Sequence, residues 1–160
     1  MSPALQFIRQ LPDPRGRYGR TDFVWAAITL LGAQLGFAFG LWLTGADFLG
    51  WRGAVANTVF AWLGYAAISK RLHDLGHGTW WLAGCVLAWL VVAGLISLVI
   101  ALVVGPDALD AGSSAFWATF AGLMLPPLTL ALWLHLAQGE PVTNRYGPVP
   151  SRIGEALAAM

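Results

Sequence analysis

The sequence predicts an all-α membrane protein, a compact bundle of four transmembrane helices with up-down topology and both termini in the cytoplasm. Three observations predict it. First, 58% of the 160 residues are hydrophobic and only 11% are charged, whereas about a quarter of a soluble domain is charged. So few charges could not cover a water-soluble globule of this size; lipid asks for none. Second, four apolar runs divide the chain, each close to the roughly 20 residues that cross a hydrocarbon core of about 30 Å. Third, the basic residues fall on one side of those runs.

The first twenty residues carry Arg9, Arg15, Arg17 and Arg20. Ala4–Leu11 sets Leu5, Ile8 and Leu11 at helical spacing among polar residues, which predicts a short interfacial helix within an interfacial segment 1–22. The spans follow at about 23–44, 51–69, 80–104 and 116–136. The first outruns a signal peptide's apolar region and reads as a retained anchor. The second is the weakest, since it opens with Arg52 and contains Asn57. Residues 45–50, 70–79 and 105–115 are short links, too short for a folded domain, and short links favour antiparallel neighbours. The tail, 137–160, has Pro and Gly between Gly139 and Pro150, which exclude a helix there; the last ten residues could form a weak helix. The whole chain reads as a single membrane domain.

With four spans, the four tail arginines, Lys70, Arg71, Arg145 and Arg152 share one side, and only Arg52 lies opposite, with Asp47, Asp107 and Asp110. Eight against one places the tails and the middle link in the cytoplasm. Trp25, Trp42, Trp51, Trp80, Trp81, Trp117 and Trp133 lie near run ends, where an indole buries its ring and keeps its N–H wet. Trp62 and Trp89 sit deeper and read as packing residues.

No ionisable residue stands in mid-span, which counts against a proton-coupled transporter. Gly32, Gly36 and Gly40 make a small-residue stripe for helix packing, within the bundle or between copies. Pro126–Pro127 predicts a kink in the fourth helix. The lone Cys85 excludes an intramolecular disulfide and reads as a small buried hydrophobe. The middle link Lys70–Arg71–Leu72–His73–Asp74, with His77 and Trp80–Trp81, is the densest polar stretch. His73 and His77 lack further ligands for a metal. His73–Asp74 as an acid–base pair lacks a nucleophile and, on a helix, the right facing. Lys70 and Arg71 as cations for anionic headgroups is the favoured reading. Asp74 and Arg145 are candidates for an ion pair.

These residues resemble the bacterial inner-membrane family known as domain of unknown function 805. Gly16–Arg17, Arg20, Phe23 and Trp25 are similar to its opening motif. Lys70–Asp74 with Gly76 and Trp80–Trp81 is similar to its middle motif, with Lys70 in place of the first arginine. Asn144–Arg145–Tyr146–Gly147–Pro148 and Pro150 are similar to its ending. The resemblance spans about Leu11–Pro150 and implies a multi-pass inner-membrane protein without implying an activity.

The functional expectation is a non-enzymatic membrane protein without cofactor or metal. Arg17, Arg20, Lys70, Arg71, His73, Asp74, Asn144, Arg145 and Tyr146 form a cytoplasmic polar cluster that is structural or binds its partner. That partner is the lipid bilayer through anionic headgroups, a membrane protein, or a second copy; nucleic acid is not expected. The alternatives are a small transporter or channel for a neutral or amphiphilic solute, served by Gln34 and Asn57, and a lipid-modifying enzyme using His73 and Asp74 with His135.

Overall fold

The computed structural model describes the backbone of residues 3–48 and 50–150 and the side chains from residue 7. Leu5 as a packing residue, Arg152 and any helix in the last ten residues lie outside the described residues. The described chain is helical, with no strand: α1 (Pro3–Gln10), α2 (Arg20–Leu43), α3 (Trp51–Asp74), α4 (Trp80–Val103), a 3₁₀ turn (Pro106–Leu109) and α5 (Ser114–Leu136). Two compact units result, one of residues 1–78 with 134–160, the other of residues 79–133. Three helices, α2, α4 and α5, are long and apolar enough to cross a membrane; α3 has the length but not the composition.

In the first unit α2 and α3 pack antiparallel. The chain entering α2 meets the end of α3, where the Tyr18 N–H donates to the Lys70 carbonyl (3.1 Å), and Phe37 meets Phe60 edge-on. The α1 helix forms as the periodicity predicts, but its inward face is Phe7 and Leu11; Ile8 points outward. Phe7 stacks on Tyr18, and the indole of Trp62 on α3 donates to the Pro12 carbonyl (3.0 Å).

The middle link is shorter than its composition implies. Lys70–Asp74 forms the last turn of α3, and the chain leaves the helix only at Leu75. Gly76, with φ +77°, takes the left-handed position after the cap. The Gly76 and His77 N–H groups return to the His73 and Leu72 carbonyls (3.2 and 2.8 Å). This is a Schellman closure, in which glycine avoids the Cβ penalty of positive φ.

In the second unit α4 buries no residue. Ser113 opens α5, its hydroxyl accepting the Phe116 N–H (2.9 Å). The helix runs through Pro126 and Pro127 without interruption. Pro127 has no N–H for the Leu123 carbonyl four residues back; the Trp89 indole of α4 donates to that carbonyl instead (2.8 Å). Trp89 is thus a specific donor as well as a packing residue. Beside it an apolar cavity of about 630 Å³ is lined by Trp81, Cys85, Val92, Pro126 and Leu130, among others.

A Cβ built at Gly32, Gly36 or Gly40 meets nothing within 4 Å. Within the first unit, then, no helix packs against the stripe. The reason is local: α2 turns Phe23, Ala26 and Leu41 inward, and the glycines lie on another face.

The Trp89 contact generates a two-step prediction. Trp89→Phe strands the Leu123 carbonyl in an apolar setting and lowers unfolding free energy by about 1 kcal/mol. Adding Pro127→Ala restores a backbone N–H and recovers most of the loss. Thermal unfolding in detergent reads both steps; no recovery in the double variant refutes the pairing.

Candidate functional site

The side chains grouped by the sequence motifs meet at one place in the first unit. Asp74, in the last turn of α3, holds the centre and is 3% exposed. Its Oδ1 accepts from Arg17 Nε and Nη2 (3.1 and 2.9 Å), and its Oδ2 accepts from Arg71 Nη1 (2.6 Å). Arg71 stands three residues earlier, on the same helical face, and is 0% exposed. One carboxylate therefore lies between two guanidiniums in a site closed to water.

The remaining guanidinium donors tie down backbone. Arg17 Nη1 donates to the Val142 and Gly147 carbonyls (2.7 and 3.4 Å), and Nη2 to Glu140 (2.6 Å). Its five N–H groups are thereby spent on Asp74 and the tail. Arg71 Nε donates to the Leu134 carbonyl (2.8 Å), Nη2 to Ala137 and Nη1 also to Tyr18 (3.4 Å). Arg20, exposed, donates to the Leu136 carbonyl (2.7 Å). The last carbonyls of α5, orphaned by the helix end, are closed by two arginines at the negative end of its dipole.

The tail docks against the same helix end. Asn144 Nδ2 donates to the His73 carbonyl (2.9 Å) and to Glu140 (2.7 Å), and its Oδ1 accepts the Tyr146 N–H (2.9 Å). Asn144 and Gly147 close a tight turn with paired backbone bonds. The Tyr146 ring stacks flat on His73, centroids 4.0 Å apart, and His73 Nδ1 lies 3.1 Å from the Gly16 carbonyl, to which a neutral ring donates. Gly139 passes so close that a Cβ there would lie 1.9 Å from Asp74 Oδ2. Among the described residues no buried side-chain polar atom lacks a partner.

Lys70 is the exception in kind. It is 3% exposed, and its ammonium donates to the Gln10 carbonyl and to the Tyr18 hydroxyl (3.2 Å), lying over the Tyr18 ring. Neither acceptor is charged. Burial pulls this ammonium down to about 8, with nearby Asp13 opposing. Burial also raises the Tyr18 hydroxyl well above its usual range, with Asp22 adding to it. Arg71 is pulled down by burial against the attraction of Asp74.

Three sequence expectations need correction. Lys70 and Arg71 do not point outward; both are buried, because they lie on the face of α3 turned toward the tail and the start of α2. Asp74 does not pair with Arg145. Two guanidiniums occupy it already, and Arg145 lies exposed over the Tyr146 ring (4.7 Å). His135 does not join His73 and Asp74, but rests on the Phe23 ring. Among the described residues no group of His, Cys, Asp and Glu could hold a metal. Tyr18 and Glu140 belong to the site although the motifs did not single them out. Tyr18, between two of the motif arginines, was within reach of the sequence.

Asp74→Asn keeps the shape but leaves two buried guanidiniums without an anion, which costs about 3–5 kcal/mol. A collapse of the unfolding midpoint in detergent, absent in the exposed control Asp107→Asn, is the expected result. His73 is held below its usual pKa of about 6.5 by burial, opposed by the Gly16 carbonyl, with Arg145 adding to the lowering. Its folded pKa lies below its unfolded one, so its share of stability is complete above about pH 6.5 and falls as pH drops toward the folded pKa. Unfolding midpoints between pH 7.5 and 5 should fall on acidification, and His73→Gln should flatten that slope.

Neither the curated proteins nor the solved structures contain a match to this chain. A family model described as "Protein of unknown function (DUF805)" matches residues 11–148, from the buried Leu11 to the proline that follows the tail turn. The chain is a member of that family.

Proposed function

We propose that this chain is a non-enzymatic, four-span protein of the bacterial inner membrane. Its ends face the cytoplasm, and its polar cap clamps the helix ends and meets lipid headgroups. The carrying observation is how the motif charges are used. Arg17, Arg71 and Asp74 are spent on each other and on backbone carbonyls. Among the described residues around them, the exposed cations are Arg9, Arg15, Arg20 and Arg145, and the exposed carboxylate is Asp13. Such a rim favours an anionic surface.

The fourth crossing is α3. It has 24 residues, as many as α2 and α4, and runs antiparallel to α2 over a short link. With Trp51–Ser69 in lipid, Lys70–Asp74 falls at the membrane edge beside the start of α2. The enzyme alternative draws no support, because Asp74 is saturated by guanidiniums and His73 is stacked. The transporter alternative draws none either. Gln34 lies on the exposed surface of α2, and neither of the two described cavities is lined by Gln34 or Asn57.

Labelling decides the topology. In a Cys85→Ala background, cysteines at Ala46 and Asp107 should react with an impermeant maleimide on intact cells. Cysteines at His77 and Thr143 should react only after permeabilisation. Ala46 and His77 labelling from the same side would refute a crossing by α3.

A further inference from the structure

Beside the clamp, a polar concavity of about 350 Å³ is lined by Gln10, Asp13, Arg15, Gly16, Arg17, Tyr18 and Lys70. We propose that it binds the phosphate of an anionic phospholipid, with Lys70, Tyr18 and Arg15 as the donors. This deepens the headgroup reading above and rests on it.

Among the described residues, Lys70 lacks a close counter-charge. A buried cation ordinarily has an anion. Arg17 and Arg71 share Asp74, but among the described residues no carboxylate comes within 4.0 Å of Lys70. Two of its three N–H groups go to a carbonyl and a hydroxyl, and the third remains for a ligand. The Tyr18 oxygen accepts from Lys70, so its own proton is available to an acceptor in the concavity. The Arg15 side chain is exposed, and its guanidinium makes no described contact with the protein; only its backbone N–H is engaged, by Asp13 (2.9 Å).

The size of the charge points the same way. Arg17 has no donor left, since Asp74 and the tail carbonyls take all five. Of the lining charges that can still meet a ligand, Arg15 and Lys70 against Asp13 leave one positive charge. That matches the single negative charge of a phosphodiester. Free phosphate, with about one and a half negative charges at neutral pH, would face the Asp13 carboxylate with less compensation.

Depth agrees. The loop that walls the concavity is held to α3 at two points, the Pro12 carbonyl by Trp62 (3.0 Å) and the Gln10 carbonyl by Lys70. With Trp51–Ser69 in lipid, Lys70 and the concavity stand at the membrane edge, where lipid phosphates lie.

The test uses the full chain purified in mild detergent, with native mass spectrometry after adding phosphatidylglycerol or phosphatidylcholine at equal concentration. Wild type should retain phosphatidylglycerol over phosphatidylcholine by about fivefold, the worth of one interfacial cation. Arg15→Gln, whose side chain supports nothing in the fold, should bring that ratio close to one. Tyr18→Phe should reduce it, and Arg52→Gln, an exposed cation at the other end of α3, should leave it unchanged. If wild type is selective but Arg15→Gln and Tyr18→Phe are too, or Arg145→Gln loses as much as Arg15→Gln, the site is wrong while the headgroup reading survives; if Arg52→Gln loses as much, both fall. If wild type shows no selectivity, both fall. If millimolar inorganic phosphate displaces the lipid, the ligand is the free anion and the lipid proposal is overturned.

Discussion

One carboxylate organises the polar half of this molecule. Asp74 lies between the guanidiniums of Arg17 and Arg71, and each arginine continues outward onto backbone carbonyls, Arg17 onto the tail and Arg71 onto the end of α5. One buried anion does not balance two cations. The remainder is met by dipoles: Arg71 by the terminal carbonyls of α5, and Arg17 by those of the tail. A helix C-terminus carries the equivalent of about half a negative charge, so the two cations are close to neutralised without a second acid. This is work for arginine rather than lysine, because only a planar fork reaches a carboxylate and several carbonyls at fixed angles.

The apolar half has no comparable organiser. No residue of α4 is buried, and of α5 only Leu134, next to the clamp, is buried. In lipid this carries no penalty, since the tails around a helix are as apolar as its side chains and burial drives nothing. Specificity must then come from polar contacts. The Trp89 indole on the Leu123 carbonyl is one such contact in the second unit, and Asp74 with its arginines is the larger one in the first.

How far the sequence was legible follows the range of each interaction. Apolar runs and positive charges are local signals, and they located four helices to within a few residues. The grouping of the polar motifs into one cluster was legible because each carries residue types that need partners. The partners themselves were not. Arg17 and Asp74 are 57 residues apart, and nothing in the spacing pairs them. Arg71 and Asp74, at i and i+3, were readable as a pair once the segment was known to be helical. Gly76 was the signal for that, since a glycine two residues past the last helical residue marks a closure rather than a weak helix. Treating Lys70–Thr79 as a link hid both. Likewise the double proline announced an orphaned carbonyl, but not that a tryptophan on the preceding helix would take it.

The contrast between Lys70 and Arg71 shows what the fold does with adjacent cations. Both are buried on the same helical turn. Arg71 finds a carboxylate and a helix end, and its charge is consumed by the structure. Lys70 finds a carbonyl, a hydroxyl and an aromatic face, which hold the ammonium in place without neutralising it. A compact point charge on a flexible stem can remain in such a position, because its three donors rotate independently and water or an anion can complete the set. The lysine at the head of the motif is therefore not a weaker copy of its neighbour. It keeps one unneutralised charge at the wall of a polar concavity, while the arginine beside it closes the fold.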